Sequence, residues 1–333
     1  MDRRPRVGLG HSPDIDVIPP EGPIPLSRLA PERALRRVDR YDRRAELIAY
    51  ETLTPTGTVR LTFRVLDDHP FLYDPGYFVG IVTSAPGKGV RRSPYCIVSP
   101  PTGDRTFQLL VRLVPEGPVS IYLASLRVGD VMPFRGPSGR SMVPKEGDEE
   151  LVMLSTGVGV GPLMALVHHL AALGVQRQIS LYWGLRLVDD ICLIDELDDL
   201  TRRYPTFSYR ISLSQPPPGW DGLRGRLTES VPPLLGELGG RRYYLVGNGA
   251  MIEEVSLVLS DLGVDRSFIH QEVYFNVRHR ADPRVLAEIR RRFLATDLFS
   301  PHAHQEAGLL FPENPISRRD RPSSSLQQLL GQE

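Results

Sequence analysis

From Arg44 onward, apolar residues recur in short runs broken by turn formers. Ala45–Thr52, Val59–Val65, Tyr77–Thr83, Tyr95–Ser99, Thr106–Leu113 and Val131–Arg135 each read as a strand, with Asp74-Pro75-Gly76 and Pro86-Gly87 as turns. Strands this closely spaced predict an antiparallel barrel or sandwich. After the polar stretch Lys145–Glu150 the period changes. Leu151–Ser155 is a buried-type strand, a Gly-rich turn follows, and Pro162–Leu173 has the apolar face of a helix. Strands at Ile179–Trp183, Thr206–Leu213, Tyr243–Val246 and Ser267–Tyr274 then alternate with helices at Val188–Arg203 and Ala250–Leu262. This alternation predicts a doubly wound parallel sheet, which binds ligands beyond the carboxyl ends of its strands. A further helix is expected over Pro283–Leu294.

The flanks are different. Residues 1–43 hold Pro19, Pro20, Pro23, Pro25 and Pro31 without sustained periodicity, and from Ser300 the chain is rich in Pro, Ser and Arg. Both read as unpacked, apart from a short helix near Pro31–Arg37. The expected organisation is therefore an extension (1–43), a barrel unit (44–145), an α/β unit (150–276) and a helix with a tail (277–333).

Composition narrows the function classes. In 333 residues, 40 Lys+Arg balance 40 Asp+Glu, so no global field recruits nucleic acid or an anionic membrane. Only Lys88 and Lys145 are lysines, and the remaining positive charge is arginine, suited to bidentate phosphate contacts; genome composition would give the same bias. No apolar run approaches the roughly 18 residues a spanning helix needs. Two cysteines, Cys96 and Cys192, cannot supply the four thiolates of a plant-type iron–sulfur cluster, and the histidines form no metal set. The first thirty residues lack the apolar stretch of a signal peptide, and a cytoplasmic location is expected.

Four segments carry candidate chemistry. The run Thr156-Gly-Val-Gly-Val-Gly-Pro162 lies between a strand and a helix, where glycines allow close approach and free N–H groups attract a pyrophosphate. A Gly-rich turn that merely turns would look the same. No acid ends the next strand to take a ribose; Gly184-Leu185-Arg186 stands there. In the first half, Arg92-Ser-Pro-Tyr95-Cys96 offers a phosphate-binding cation and a flat aromatic face. Gly117-Pro-Val-Ser120 opens an apolar helical segment, with Ser120 placed like an N-cap, and Gly136-Pro-Ser-Gly139 reads as a loop closing the barrel. Each alone is also an ordinary turn, strand-edge arginine or cap.

In this order, together with Val246-Gly247-Asn248-Gly249-Ala250-Met251 and Glu272-Val273-Tyr274, the segments resemble the ferredoxin-NADP reductase family over roughly Arg44 to Asn276. The resemblance implies an FAD-binding barrel followed by an NADP(H)- or NAD(H)-binding α/β domain. It implies that Arg92 and Ser120 hold the FAD pyrophosphate, that Tyr95 stacks on the isoalloxazine and that Cys96 faces flavin N5, with Ile97, Val111, Gly117 and Val119 also in the cofactor-binding set. Thr156, Gly157, Gly159, Pro162, Gly247 and Met251 would hold the nicotinamide dinucleotide. Ser214, Arg224 and Arg226 would meet its adenosine end, with a slight lean to NADP. Glu272 and Tyr274 would close the reacting site, so the catalytic set is Cys96, Thr156, Glu272 and Tyr274.

The implied activity is hydride transfer between NAD(P)H and FAD, then single-electron delivery to ferredoxin or flavodoxin. The alternatives are an NADH-dependent reductase serving an oxygenase or cytochrome on a separate chain, and a flavin-binding electron-transfer subunit without nicotinamide activity. Three departures stand out. Arg92 precedes Tyr95 by three residues instead of two, through an inserted Pro94 or a strand bulge. Cys96 replaces a hydroxyl residue, and Val246 replaces a cysteine.

Overall fold

The computed structural model describes residues 43–85, 89–115, 117–144, 147–275 and 279–294. The expected extension over residues 1–42, its short helix and the tail from Ser300 lie outside the described residues. Arg43, assigned by sequence to the extension, instead opens the first strand and is almost fully enclosed.

Strands β1 (Arg43–Thr52), β2 (Thr58–Val65), β3 (Tyr77–Ala85), β4 (Gly89–Cys96), β5 (Thr106–Arg112) and β6 (Val131–Gly139) form an antiparallel sheet in the order β4-β3-β6-β1-β2-β5. Its two end strands meet because the chain leaving β4 bonds to β5: Val98 N–H donates to the Gln108 carbonyl (2.9 Å). That bond closes the sheet into a barrel. Alternate residues of β2, Leu61, Phe63 and Val65, point inward, and Phe63, Phe71, Phe107 and Phe134 make an aromatic centre in which Phe63 stacks on Phe107 and the other rings are tilted. The segment Gly136–Gly139, expected as a loop, is the end of β6; Gly136 and Gly139 adopt φ of +113° and +134°, which lets the strand bend while still pairing with β3. Helix α1 (Pro118–Ser125) caps one end of the barrel.

The second unit runs β7 (Glu150–Thr156), α2 (Val160–Ala172), β8 (Ile179–Leu185), α3 (Ile194–Arg203), β9 (Phe207–Leu213), β10 (Leu223–Arg224), α4 (Leu227–Ser230), α5 (Pro232–Leu235), β11 (Arg241–Asn248), α6 (Gly249–Asp261), β12 (Ile269–Phe275) and α7 (Pro283–Leu294). The sheet is parallel, in the order β10-β9-β8-β7-β11-β12. Burial on both faces explains the unbroken apolar run of β7. Leu151 and Met153 pack in one core with α2 and α3, while Val152 and Leu154 pack in another with α6 and α7. The chain builds outward from β7 to one side and later returns to its other side, so the switch point lies between β7 and β11. The helix expected over Val188–Arg203 is shorter. The Asp190 carboxylate accepts Leu187 N–H (3.1 Å) and ties residues 188–190 into one tight turn, and Leu193 at φ +59° separates that turn from α3.

Arg43 is the main charge inside the barrel. It donates twice to Asp67 (2.8 and 2.9 Å) and to the His69 carbonyl (3.0 Å), and lies over the Phe71 and Phe134 rings. Burial raises the Asp67 pKa, but the Arg43 bonds outweigh burial and hold it below its ordinary value. A carboxylate lowered in this way stabilises the fold above its unfolded pKa, and that stability is lost as pH falls through the folded one. Asp67→Asn is expected to cost about 3 kcal/mol in urea unfolding at pH 7, because it strands a buried guanidinium. It should also flatten the loss of melting temperature that the native chain shows below about pH 4.

Candidate active site

At the switch point, Thr156 ends β7 and a single tight turn, Gly157–Gly159, leads into α2. The glycines of this turn do different work. Gly157 has φ +56° and nothing within 4 Å of where a Cβ would stand, so here the backbone is open to a ligand. A Cβ on Gly159 would lie 2.7 Å from the Val246 carbonyl oxygen, and one on Gly161 would lie 2.4 Å from a Val98 methyl of the barrel. These two are small for packing: Gly159 against β11, Gly161 against the other domain. The turn is fixed by Trp183, whose indole donates to the Gly157 carbonyl (2.8 Å), and by Thr156 Oγ1, which accepts Asn248 N–H (2.8 Å).

Below this turn lies a cleft of about 580 Å³. Thr156, Gly157, Asn248 and Met251 form its head, Gly184–Arg186 its floor, and Thr58, Leu110 and Arg112 of the barrel its far wall. It continues into a corner made by Arg186, Ser214, Gln215, Arg226 and Glu229. Glu229 is turned back on the chain, accepting Arg226 N–H (2.9 Å), while Arg186 donates to Gln215 (3.3 Å). Two guanidinium groups and a serine in one corner suit a phosphate monoester. Arg224 stands apart. Its guanidinium donates to the Trp220 carbonyl (2.7 Å), and it lines neither the cleft nor the corner.

Cys96 at the end of β4 and Glu272 and Tyr274 of β12 lie together, outside the residues that line the cleft. The Tyr274 hydroxyl is enclosed and faces the Cys96 thiol, without reaching good hydrogen-bond geometry to any group. Burial pushes the Cys96 thiol up to about 12, raises Glu272, and raises Tyr274 well above the usual phenol value. Near neutral pH the thiol and phenol are uncharged, so they act as weak donors and as shape. Strand β4 pairs with β3 without interruption, Gly80 opposite Pro94 and Phe78 opposite Cys96, so Pro94 is neither an insertion that disrupts the ladder nor part of a bulge.

The helix start at Gly117 differs from expectation in one respect. Gly117 is the N-cap, Pro118 opens α1, and Ser120 lies inside the first turn with its hydroxyl accepting Val114 N–H (3.1 Å). Ile121 N–H already bonds to Gly117, which leaves the Val119 and Ser120 amides without a helical partner. These two amides, with the open backbone at Gly157 and the enclosed Tyr274 hydroxyl, fit a dinucleotide on each side of the domain junction. Val111 and Ile97 are buried in the barrel core.

Residues 45–142 match the family described as an oxidoreductase FAD-binding domain, and residues 153–256 match an oxidoreductase NAD-binding domain. Ferredoxin–NADP reductase B from Sorangium cellulosum is 32% identical over 237 residues, 69% of this chain and 96% of that protein. The chain belongs to the ferredoxin-NADP reductase family. Another relative is the glycine betaine monooxygenase reductase subunit of Chromohalobacter salexigens, 30% identical over 72% of this chain and 67% of that protein. A cytochrome P450 reductase from Amycolatopsis shares the fold at a TM-score of 0.62 and 24% identity, covering 70% of this chain and 69% of that one. A Neisseria gonorrhoeae ferredoxin NADP+ reductase shares it at a TM-score of 0.58 and 20% identity, covering 70% and 98%. As a ferredoxin-NADP reductase family member, the chain is an FAD-dependent NAD(P)H oxidoreductase. Among the described residues no helix is long and apolar enough to cross a membrane.

Sequence reading missed Trp183, Asp190 and Glu254 in the cleft wall. Trp183 had a detectable signal, since an indole at the end of a buried strand must find an acceptor. Glu254 lies three residues after Met251 and so on the same helix face. Asp190 had none, because it fell inside an apparent helix. Burial also pushes the Cys192 thiol up to about 12. Neither thiol should therefore be alkylated by iodoacetamide at about pH 8 in the folded protein, as read by intact mass, while both should react in urea.

Proposed function

We propose that this reductase takes hydride from NADPH in preference to NADH and passes electrons singly to a separate small redox protein, ferredoxin or flavodoxin. The observation that carries the reading is the meeting of Cys96, at the end of β4 in one unit, with Glu272 and Tyr274, in β12 of the other. FAD bound at this junction supplies the conversion of a two-electron hydride into single electrons.

The chain's own residues do the positioning. The Val119 and Ser120 amides at the start of α1, with Arg92, hold the FAD pyrophosphate, and Tyr95 gives the ring a face. Thr156, Gly157 and Met251 set the nicotinamide end of the dinucleotide. Tyr274 and Cys96 shield the reacting side from water, and Glu272 keeps a carboxyl at its edge. Arg186, Ser214 and Arg226 take the 2′-phosphate, in the corner where the strand end carries no ribose-binding acid.

A second reading, delivery to an oxygenase component, is favoured by the relatives that are reductase subunits of such systems. Two cysteines cannot build a four-thiolate cluster in this chain, so either acceptor brings its own redox centre.

The purified protein should be yellow and should bleach on anaerobic addition of NADPH; a yellow protein that neither nicotinamide bleaches overturns the reading. Arg226→Ala should lower the NADPH-to-NADH efficiency ratio about tenfold, the loss of one charge-assisted hydrogen bond of roughly 1.5 kcal/mol. Arg92→Ala should lower FAD retention on gel filtration more than Arg91→Ala, and the opposite order would move the phosphate contact to Arg91. Cys96→Ser should keep FAD and keep or raise the hydride-transfer rate, because a hydroxyl is the better donor.

A further inference from the structure

We propose that Asp190 is a positioning residue for hydride transfer, its carboxylate holding the nucleotide-binding loop after β8 to the flavin-binding barrel. The proposal rests on the function just given. Asp190 Oδ1 accepts from the barrel, from Thr56 Oγ1 in the β1–β2 turn (2.7 Å) and from Arg112 Nη1 at the end of β5 (2.8 Å). Its Oδ2 accepts Leu187 N–H of its own loop (3.1 Å). One carboxylate thus has an oxygen committed to each unit. Thr56 is itself braced: Arg112 donates to its hydroxyl (2.9 Å), and it shares a hydrogen bond with Thr54 (2.9 Å), whose Oγ1 accepts Thr58 N–H (3.0 Å).

An ordinary surface ion pair contributes little. This one differs in that Asp190 is only 9% exposed and all its contacts are made by groups in the wall of the cleft or next to it. Burial alone would raise its pKa, and the bonds from Arg112, Thr56 and Leu187 bring it below the usual carboxylate value. The same loop carries Arg186 into the phosphate corner, and the Arg186 carbonyl accepts Gln215 N–H (2.9 Å). A shift of this loop relative to the barrel therefore moves the adenosine end of the cleft relative to Tyr95 and Cys96. A second tie runs from Arg60 of β2 to Glu196 of α3 (2.6 Å); there the carboxylate is the exposed partner, at 41% side-chain exposure against 10% for Asp190, whereas Arg60 is less exposed than Arg112, 19% against 42%.

Misplacing reacting groups by about 1 Å costs up to a hundredfold in rate, whereas binding of a mononucleotide within one unit is untouched. The test uses FAD-loaded protein and the variants Asp190→Asn, Thr56→Val and their combination. The expected result is a hydride-transfer rate constant about tenfold lower in stopped flow for either single variant, no further loss in the double, and 2′-phospho-AMP affinity by calorimetry within twofold of the native value. Amide exchange at Leu187 should rise in Asp190→Asn. The proposal is overturned by an unchanged rate constant, by additive losses, or by a parallel fall in 2′-phospho-AMP affinity, which would place the role inside the nucleotide-binding unit. If Asp190→Asn does not fold, Thr56→Val, which removes a single hydroxyl, decides alone. Failure of the native protein to accept hydride from either nicotinamide would instead reject the underlying functional reading.

Discussion

The structure depends on the close approach of two separately folded units at one seam. At its centre the start of α2 lies against the barrel so closely that a Cβ on Gly161 would stand 2.4 Å from Val98. Leu110 and Met142 of the barrel join the hydrophobic core of the α/β unit, and Tyr244 donates to the Met142 carbonyl (2.7 Å). Hydride transfer requires contact between its donor and acceptor, and each cofactor is bound mainly by a different unit. Orientation of the units is therefore part of the active site, and the apolar and polar contacts of the seam are part of the catalytic apparatus.

Electrostatics along the seam is graded. Where Cys96, Glu272 and Tyr274 meet, burial raises all three groups and keeps thiol and phenol neutral. Charge lies further out, at Asp190 and Arg112 in the wall and at Arg186 and Arg226 in the corner. This ordering suits a reaction whose moving group is a hydride: a fixed charge at the reacting atoms would bias one direction, while charge at a distance holds the phosphates. It also accounts for a cysteine at position 96, where an unreactive neutral side chain of the right size meets the packing requirement.

Both units were legible in the sequence because burial leaves a period. Alternation in β2 and the unbroken apolar run of β7 reflect one-faced and two-faced burial, and both formed as expected. What was not legible depends on partners distant in the chain. Asp190 looked helical until its carboxylate was seen bound to Leu187, Thr56 and Arg112, and Ser120 looked like a cap until its hydroxyl was seen bound to Val114. Arg224 and Arg226 are equivalent as residue types; only the direction of β10 decides that one meets Trp220 and the other the cleft. Gly136–Gly139 carried the residues of a turn and formed a bent strand end, because φ above zero serves either purpose.

The glycine-rich turn shows how far a motif underdetermines its own meaning. Its three glycines form a single pattern in sequence, yet they answer three neighbours: open space at Gly157, the Val246 carbonyl at Gly159 and the barrel's Val98 at Gly161. A residue small for the sake of a ligand and one small for the sake of a domain contact are indistinguishable in a string, because both requirements exclude the same Cβ. Here the two requirements are joined, since the open backbone at Gly157 leads directly into the helix that meets the flavin-binding barrel at Gly161. The motif therefore records a contact between the two units as well as an open stretch of backbone.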